Sequence, residues 1–179
     1  MPFYIYIILA SWVLWLAPFL SRRPASGARL TKKQARWGIL LEAIAFALLW
    51  QGRFWERNPG WKLFPAVALM VIAALLSWTG VVALGRQWRV DAALNADHEL
   101  IRSGPYSMVR HPIYASLLFM LIGTGLIITP VTLFIPALVI FIIGTEIRVR
   151  VEDGLLASNF GAEFTEYKRK VRAYIPWVR

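Results

Sequence analysis

The chain has no cysteine. Disulfide staples, thiolate metal ligands and a thiol nucleophile are therefore excluded. Histidine is almost as scarce, with two copies, His98 and His111. With Asp97 and Glu99 beside the first, they match no zinc-ligand spacing, so no metal site is expected. Gly80 to Gly85, followed by Arg86-Gln87-Trp88, lacks the Gly-Lys-Ser/Thr ending of a phosphate-binding loop. Gly123-Thr124-Gly125 lacks the third glycine of a dinucleotide fingerprint, and small residues inside an apolar run serve close helix packing. No Gly-x-Ser-x-Gly elbow supports a serine hydrolase. Neither an internal repeat nor a low-complexity segment is present. Acidic residues number only 10 against 20 basic ones, a net charge of +10. Such a surplus can signal nucleic acid. Here the bases sit in loops between apolar runs, where they set topology or meet anionic lipid, so nucleic acid is not an expected partner.

What the chain does have is apolar length. Of its 179 residues, 58% are hydrophobic, against about 45–50% in soluble domains. The excess falls into five runs, which predicts an all-α integral membrane protein with five transmembrane helices in a single domain, residues 1–179. Phe3 to Leu20 is the first span, long enough as a helix to cross a hydrocarbon core and lacking the basic flank of a signal peptide. Trp37 to Trp50 is short and carries Glu42, whose charge is expected to face the bundle. Leu63 to Leu84 has Pro65 in its first turn, where proline is tolerated. These three spans make up residues 1–83. Ile113 to Ile128 and Val131 to Thr145 follow, joined by the uncharged turn Thr129-Pro130, which suggests an antiparallel hairpin. The fifth helix meets no breaker before Gly154 and is expected to continue past Glu152. The segment from Phe160 reads as a polar, aromatic tail.

The basic residues predict the orientation. The first loop holds Arg22, Arg23, Arg29, Lys32, Lys33 and Arg36. The third holds Arg86, Arg89, Arg102 and Arg110, and the tail holds Arg148, Arg150, Lys168, Arg169, Lys170, Arg172 and Arg179. The opposite side has only Arg53, Arg57 and Lys62. Positive-inside places the N-terminus outside and the C-terminus in the cytoplasm, across the inner membrane if the source is bacterial. The His98–Tyr114 loop and the tail then share the cytoplasmic face.

That loop is the densest chemistry in the chain. Polar, titratable side chains are expensive at a membrane boundary and usually serve a site when they cluster there. Pro112 suits the first position of helix four, with His111 just outside it. A helix start with Arg110 and His111 alongside suits a carboxylate or phosphate, and suits equally an interfacial anchor. On helix five, Arg148 and Glu152 are four apart and share a face. Glu146, Arg150 and Asp153 fall on a second face, and one of the two stripes is expected to line a polar cleft.

The pattern His98-x-Leu100, Gly104-Pro105-Tyr106, Arg110-His111-Pro112-x-Tyr114, then Arg148-x-x-x-Glu152-Asp153-x-x-Leu156 and Phe160-Gly161-x-x-Phe164-x-x-Tyr167 resembles the isoprenylcysteine carboxyl methyltransferase family. Related membrane methyltransferases of phospholipid amines share much of it. The resemblance runs from about Gly85 to Pro176, so residues 84–179 form the catalytic half. Spans one to three match only as apolar helices. It implies S-adenosylmethionine bound near the cytoplasmic face beneath a lid made by the C-terminal tail. His98, Tyr106, His111, Pro112 and Tyr114 would line that pocket, with backbone contacts from Leu100 and Ile101 and with Glu152 near the amino-acid end. Arg110 and Arg148 would face the acceptor, with Glu152 holding Arg148. Ser116 stands where the family usually has glycine, Asp153 replaces the second acid of a Glu-Glu pair, and Thr129 replaces an asparagine.

The resemblance implies methyl transfer to a small or lipophilic, lipid-like acceptor, by family default an isoprenylcysteine-type carboxylate. A phospholipid amine or small thiol on the same fold is an alternative acceptor. A non-catalytic membrane scaffold or transporter subunit is the alternative from another class. A transporter would more often show broken helices or mid-span charge, and only Glu42 comes near that.

Overall fold

A computed structural model describes residues 1–21, 30–31, 34–51, 58–89, 93–94 and 99–174. Six α-helices occur among them: α1 (Phe3–Ser21), α2 (Ala35–Leu49), α3 (Leu63–Leu84), α4 (Pro112–Ile128), α5 (Val131–Phe160) and α6 (Ala162–Lys170). By length and composition α1, α3 and α5 are each sufficient to cross a membrane, α3 with its flanking turns from Gly60 to Gln87. At 17 residues α4 is a shorter apolar helix, and α2 has 15 residues, about 22 Å. The five expected helices are therefore present, but three of them reach spanning length.

The outer surface is that of a lipid-facing bundle. Phe3, Val13 and Leu20 on α1, Phe64 and Leu75 on α3, and Val131 and Ile135 on α5 are all exposed. A water-facing surface would carry no apolar patch of that extent. α4 is the reverse, buried along most of its length from Pro112 to Ile128. It packs mainly on α3, while α5 packs mainly on α2. The Thr129-Pro130 turn does join α4 to α5, and the Thr129 hydroxyl donates to the Leu49 carbonyl at 2.9 Å. The two helices nevertheless have different main partners and only limited contact with each other.

Small residues set the closest crossing. A Cβ on Gly144 would lie 2.8 Å from the Gly38 carbonyl oxygen and 2.9 Å from the Leu41 Cβ. α2 and α5 thus meet backbone to backbone, as small residues allow inside membranes. In α1, Pro18 has no N–H for the carbonyl four residues earlier. The Trp78 indole of α3 donates to that Leu14 carbonyl at 2.9 Å, and Ser77 donates to the Trp15 carbonyl at 2.7 Å. Trp15 in turn donates its indole N–H to Ser116 on α4 at 2.9 Å.

One feature departs from a purely helical reading. Leu30–Thr31 and Ala93–Leu94 form a two-residue antiparallel pair, β1 and β2. Loop backbone outside a helix must find partners, and these two loops find each other. The polar, aromatic tail begins as the helix α6. Gly161, at φ 53°, makes the break between α5 and α6, a conformation that side chains disfavour. The β pair and the tail contacts described below bring the first loop, the third loop and the tail to one end of the bundle.

Candidate active site

At that end a cavity of about 500 Å³ opens between α1, α4 and α5. The limited contact between α4 and α5 leaves room for it. Its wall includes Leu100, Ile101, Tyr106, Arg110, His111, Tyr114, Arg148 and Glu152, eight of the residues singled out in the sequence. Pro112 is instead buried at the first position of α4, with His111 as the N-cap. His98 lies outside the described residues. Arg148 and Glu152 share the cleft-facing stripe of α5 as their spacing predicts. The opposite stripe divides: Arg150 pairs with Glu146 at the surface, at 2.8 Å, and Asp153 is buried.

The ion pairing differs from the expected one. Arg148 donates to Glu42 of α2 at 2.8 Å, and the other Glu42 oxygen accepts from the Thr145 hydroxyl at 3.1 Å. Glu152 does not hold Arg148. It accepts a hydrogen bond from the Tyr114 hydroxyl and lies 3.5 Å from His111 Nδ1. The reason is reach across helices. Glu42 approaches Arg148 at the glycine crossing, while Tyr114, two residues into α4, faces Glu152. The Arg148 guanidinium still sits over the Tyr114 ring, 4.6 Å from its centroid, a favourable cation–π arrangement.

Asp153 anchors the tail. It accepts from Arg110 at 3.0 Å, meets His111 Nε2 at 3.0 Å and pairs with Lys168 of α6 at 3.1 Å. The Arg110 guanidinium also donates to the carbonyls of Val171 and Lys168. The Arg110 and His111 backbone N–H groups donate to Arg172 and Ala173, each at 2.7 Å. Although Arg110 borders the cavity, its charge is therefore engaged with the tail. Tyr167 closes the seam by donating to the Tyr106 carbonyl at 2.6 Å.

His111 lies between two carboxylates. Burial disfavours its charged form, but the hydrogen bonds and charges of Asp153 and Glu152 outweigh that, and its pKa rises above 6.5. Burial, reinforced by the Glu152 charge, pushes the Tyr106 phenol well above 10. Burial likewise lifts Tyr167 to about 12. Both phenols stay protonated as donors. Among the described residues no cluster of three or more metal-ligating side chains occurs.

Sequence reading missed the far wall of the cavity. Trp15, Leu16, Phe19 and Leu20 of α1 line it, with Trp88 and Gln87 beyond α3. Rings link Trp15 to Phe19 at 4.8 Å and Phe19 to Trp88 at 5.5 Å. The Trp15/Phe19 spacing of four around Pro18 was the available signal. Ser116 of α4 supplies the hydroxyl that holds Trp15.

The sequence profile of the isoprenylcysteine carboxyl methyltransferase (ICMT) family matches residues 66–158, just over half of the chain. The nickel-cobalt-cadmium resistance protein NccN of Alcaligenes xylosoxydans xylosoxydans is 28% identical over 141 residues, covering 78% of this chain and 62% of that protein. The protein-S-isoprenylcysteine O-methyltransferase of Saccharomyces cerevisiae is 39% identical over 90 residues, covering 50% of this chain and 37% of the yeast protein. An Arabidopsis thaliana protein-S-isoprenylcysteine O-methyltransferase B is 26% identical over 145 residues, covering 78% and 70%. The chain thus spans less than two thirds of the first two relatives. The profile match takes in both Arg110–Tyr114 and Arg148–Glu152, the two segments that meet at the cavity, and the chain belongs to the isoprenylcysteine carboxyl methyltransferase family.

Proposed function

We propose that this chain is a five-span membrane methyltransferase that takes its methyl group from S-adenosylmethionine and gives it to a lipophilic acceptor. The reading puts the N-terminus outside and the cleft at the cytoplasmic face. The observation that carries it is one cavity with two chemistries. Glu152, His111, Tyr114 and Arg148 form a polar end, and Trp15, Leu16, Phe19 and Leu20 form an apolar wall. A donor with a charged amino-acid end and an acceptor with a hydrocarbon body need both.

The residues present fit the donor. Small-molecule sites typically measure about 300–1,000 Å³, and this cavity is within that range. Glu152 offers a carboxylate to an ammonium group, and the aromatic lining suits a cation. Bound there, S-adenosylmethionine supplies an electrophilic methyl group on a sulfonium. The chain's own part is alignment, because an in-line displacement needs orientation more than acid–base help. Tyr114 and His111 fix the Glu152 carboxylate. Tyr106, pinned through its carbonyl by Tyr167, closes the side nearest the tail and excludes water. Arg148, held by Glu42, borders the cavity and brings a positive charge to a carboxylate acceptor. An isoprenylcysteine-type carboxylate is the acceptor that this arrangement favours.

A second reading keeps the chemistry and changes the acceptor to a phospholipid amine or small thiol. NccN, named for metal resistance and not for an isoprenylcysteine substrate, matches as much of this chain (78%) as the Arabidopsis enzyme does, so family likeness does not by itself single out a prenylated acceptor. Both readings are tested by incubating membranes that contain the protein with methyl-labelled S-adenosylmethionine. A lipophilic labelled product is expected. Release of the label by mild base marks a methyl ester, whereas a methylated amine or thioether keeps it. No label above that of membranes lacking the protein overturns the transferase reading.

A further inference from the structure

Glu42 is a carboxylate in the middle of an apolar helix and is 6% exposed. It lies on the one buried stripe of α2, formed by Ala35, Gly38, Glu42, Ala45 and Leu49, whose spacing of three and four makes a single face. That face meets α5 where Gly38 and Gly144 allow the backbones to touch. Stability alone does not account for an ion pair there. Desolvating two charges offsets most of their attraction, and apolar side chains of similar size would hold two helices at least as well. What such a pair does provide is a fixed geometry.

We propose that Glu42 is a positioning residue of the acceptor end, holding the Arg148 guanidinium in place at the cleft. This rests on the transferase reading above. One Glu42 oxygen takes the Arg148 N–H at 2.8 Å, and the other is held by Thr145 at 3.1 Å, so the carboxylate cannot swing. The guanidinium is thereby fixed over the Tyr114 ring. Tyr114 in turn donates to Glu152. A free arginine on this stem would sample many rotamers, and ordering it would weaken every acceptor contact. Glu42 does that ordering before the acceptor arrives. Part of the site is therefore supplied by α2, which lies outside the matched residues 66–158.

The test uses the full chain in detergent, methyl-labelled S-adenosylmethionine, and the acceptor that wild-type protein labels in membranes. Glu42→Gln is expected to lower kcat/KM for the acceptor about tenfold, the scale of one charge-assisted hydrogen bond. Cofactor affinity by titration calorimetry should stay within about twofold, since Glu42 reaches Glu152 only indirectly, through Arg148 and Tyr114. Thr145→Val should lose about two- to threefold in the same direction, as one neutral hydrogen bond does. The double variant Glu42→Gln/Arg148→Gln should be no slower than Arg148→Gln alone, because Glu42 acts only through Arg148. Unchanged acceptor kinetics in Glu42→Gln, an equal loss of cofactor affinity, or additive losses in the double variant would each overturn the proposal. Wild-type protein that binds the cofactor but labels nothing would instead overturn the transferase reading, and this inference with it.

Discussion

Glu152 and Asp153 are neighbours in sequence with opposite surroundings. On a helix, adjacent residues point about 100° apart. That turn sends Glu152 into the cleft, with its side chain 26% exposed, and Asp153 into the seam with the tail, at 8%. Glu152 is met by Tyr114 and His111 and remains open to the cavity. Asp153 is surrounded by Arg110, His111 and Lys168. One carboxylate is available to a ligand and the other is committed to architecture. His111 bridges the two, so docking of the tail and shape of the cleft depend on one imidazole.

The sharpest way to break this contrast is to neutralise each acid. Asp153→Asn leaves Arg110 and Lys168 without their carboxylate and His111 with Glu152 alone. Removing one partner of a buried ion cluster costs about 3–5 kcal/mol, and a clear fall in thermal unfolding midpoint in detergent is expected, with faster proteolysis after Lys168. Glu152→Gln should do the reverse. Its unfolding midpoint should stay close to wild type, while the dissociation constant for S-adenosylmethionine rises about 10–100-fold, as loss of a charged hydrogen bond does. If Glu152→Gln unfolds as readily as Asp153→Asn, the division of labour is wrong.

A smaller effect should follow pH. The folded pKa of His111 lies above its ordinary value, so the charged imidazole is the form that the fold favours. Its stabilisation is complete below about pH 6.5 and fades as pH rises through the folded pKa. Each unit of upward shift corresponds to about 1.4 kcal/mol. Tail proteolysis in detergent should quicken from about pH 6 to 9, and His111→Asn should flatten that dependence. The smallest effect belongs to Lys168→Ala. Its side chain is 53% exposed, and a screened surface pair contributes under about 1 kcal/mol. A loss as large as that of Asp153→Asn would show that the tail is held by Lys168 instead of Arg110.

Much of this was legible in the sequence. The bounds of α3 match the apolar run Leu63 to Leu84, Pro112 opens α4, and α5 continues through Glu152 because nothing before Gly154 breaks it. The common stripe of Arg148 and Glu152 followed from helical spacing. The partners did not. Helices that are apolar on every side give no periodic sign of which face turns inward. Glu42 and Arg148 are 106 residues apart, and only the packing of α2 on α5 brings them together. The split between Glu152 and Asp153 was hidden for the same reason, since both read as acids just beyond a span. The α1 wall was hidden because its aromatic residues look like ordinary membrane-facing ones. The helical start of the tail was missed because α6 is short, and its amphipathic face has meaning only against Tyr106 and Arg110.

The indole of Trp78 reaching the carbonyl that Pro18 leaves bare has one more consequence. In oil, a broken hydrogen bond finds no solvent to replace it. That contact therefore works as a dowel between the first and third helices, setting the rotation of everything C-terminal to it on α1. Phe19 and Leu20 are the next residues along. Thus a proline, usually regarded as a flaw in a helix, decides how the greasy doorway of the cavity is hung.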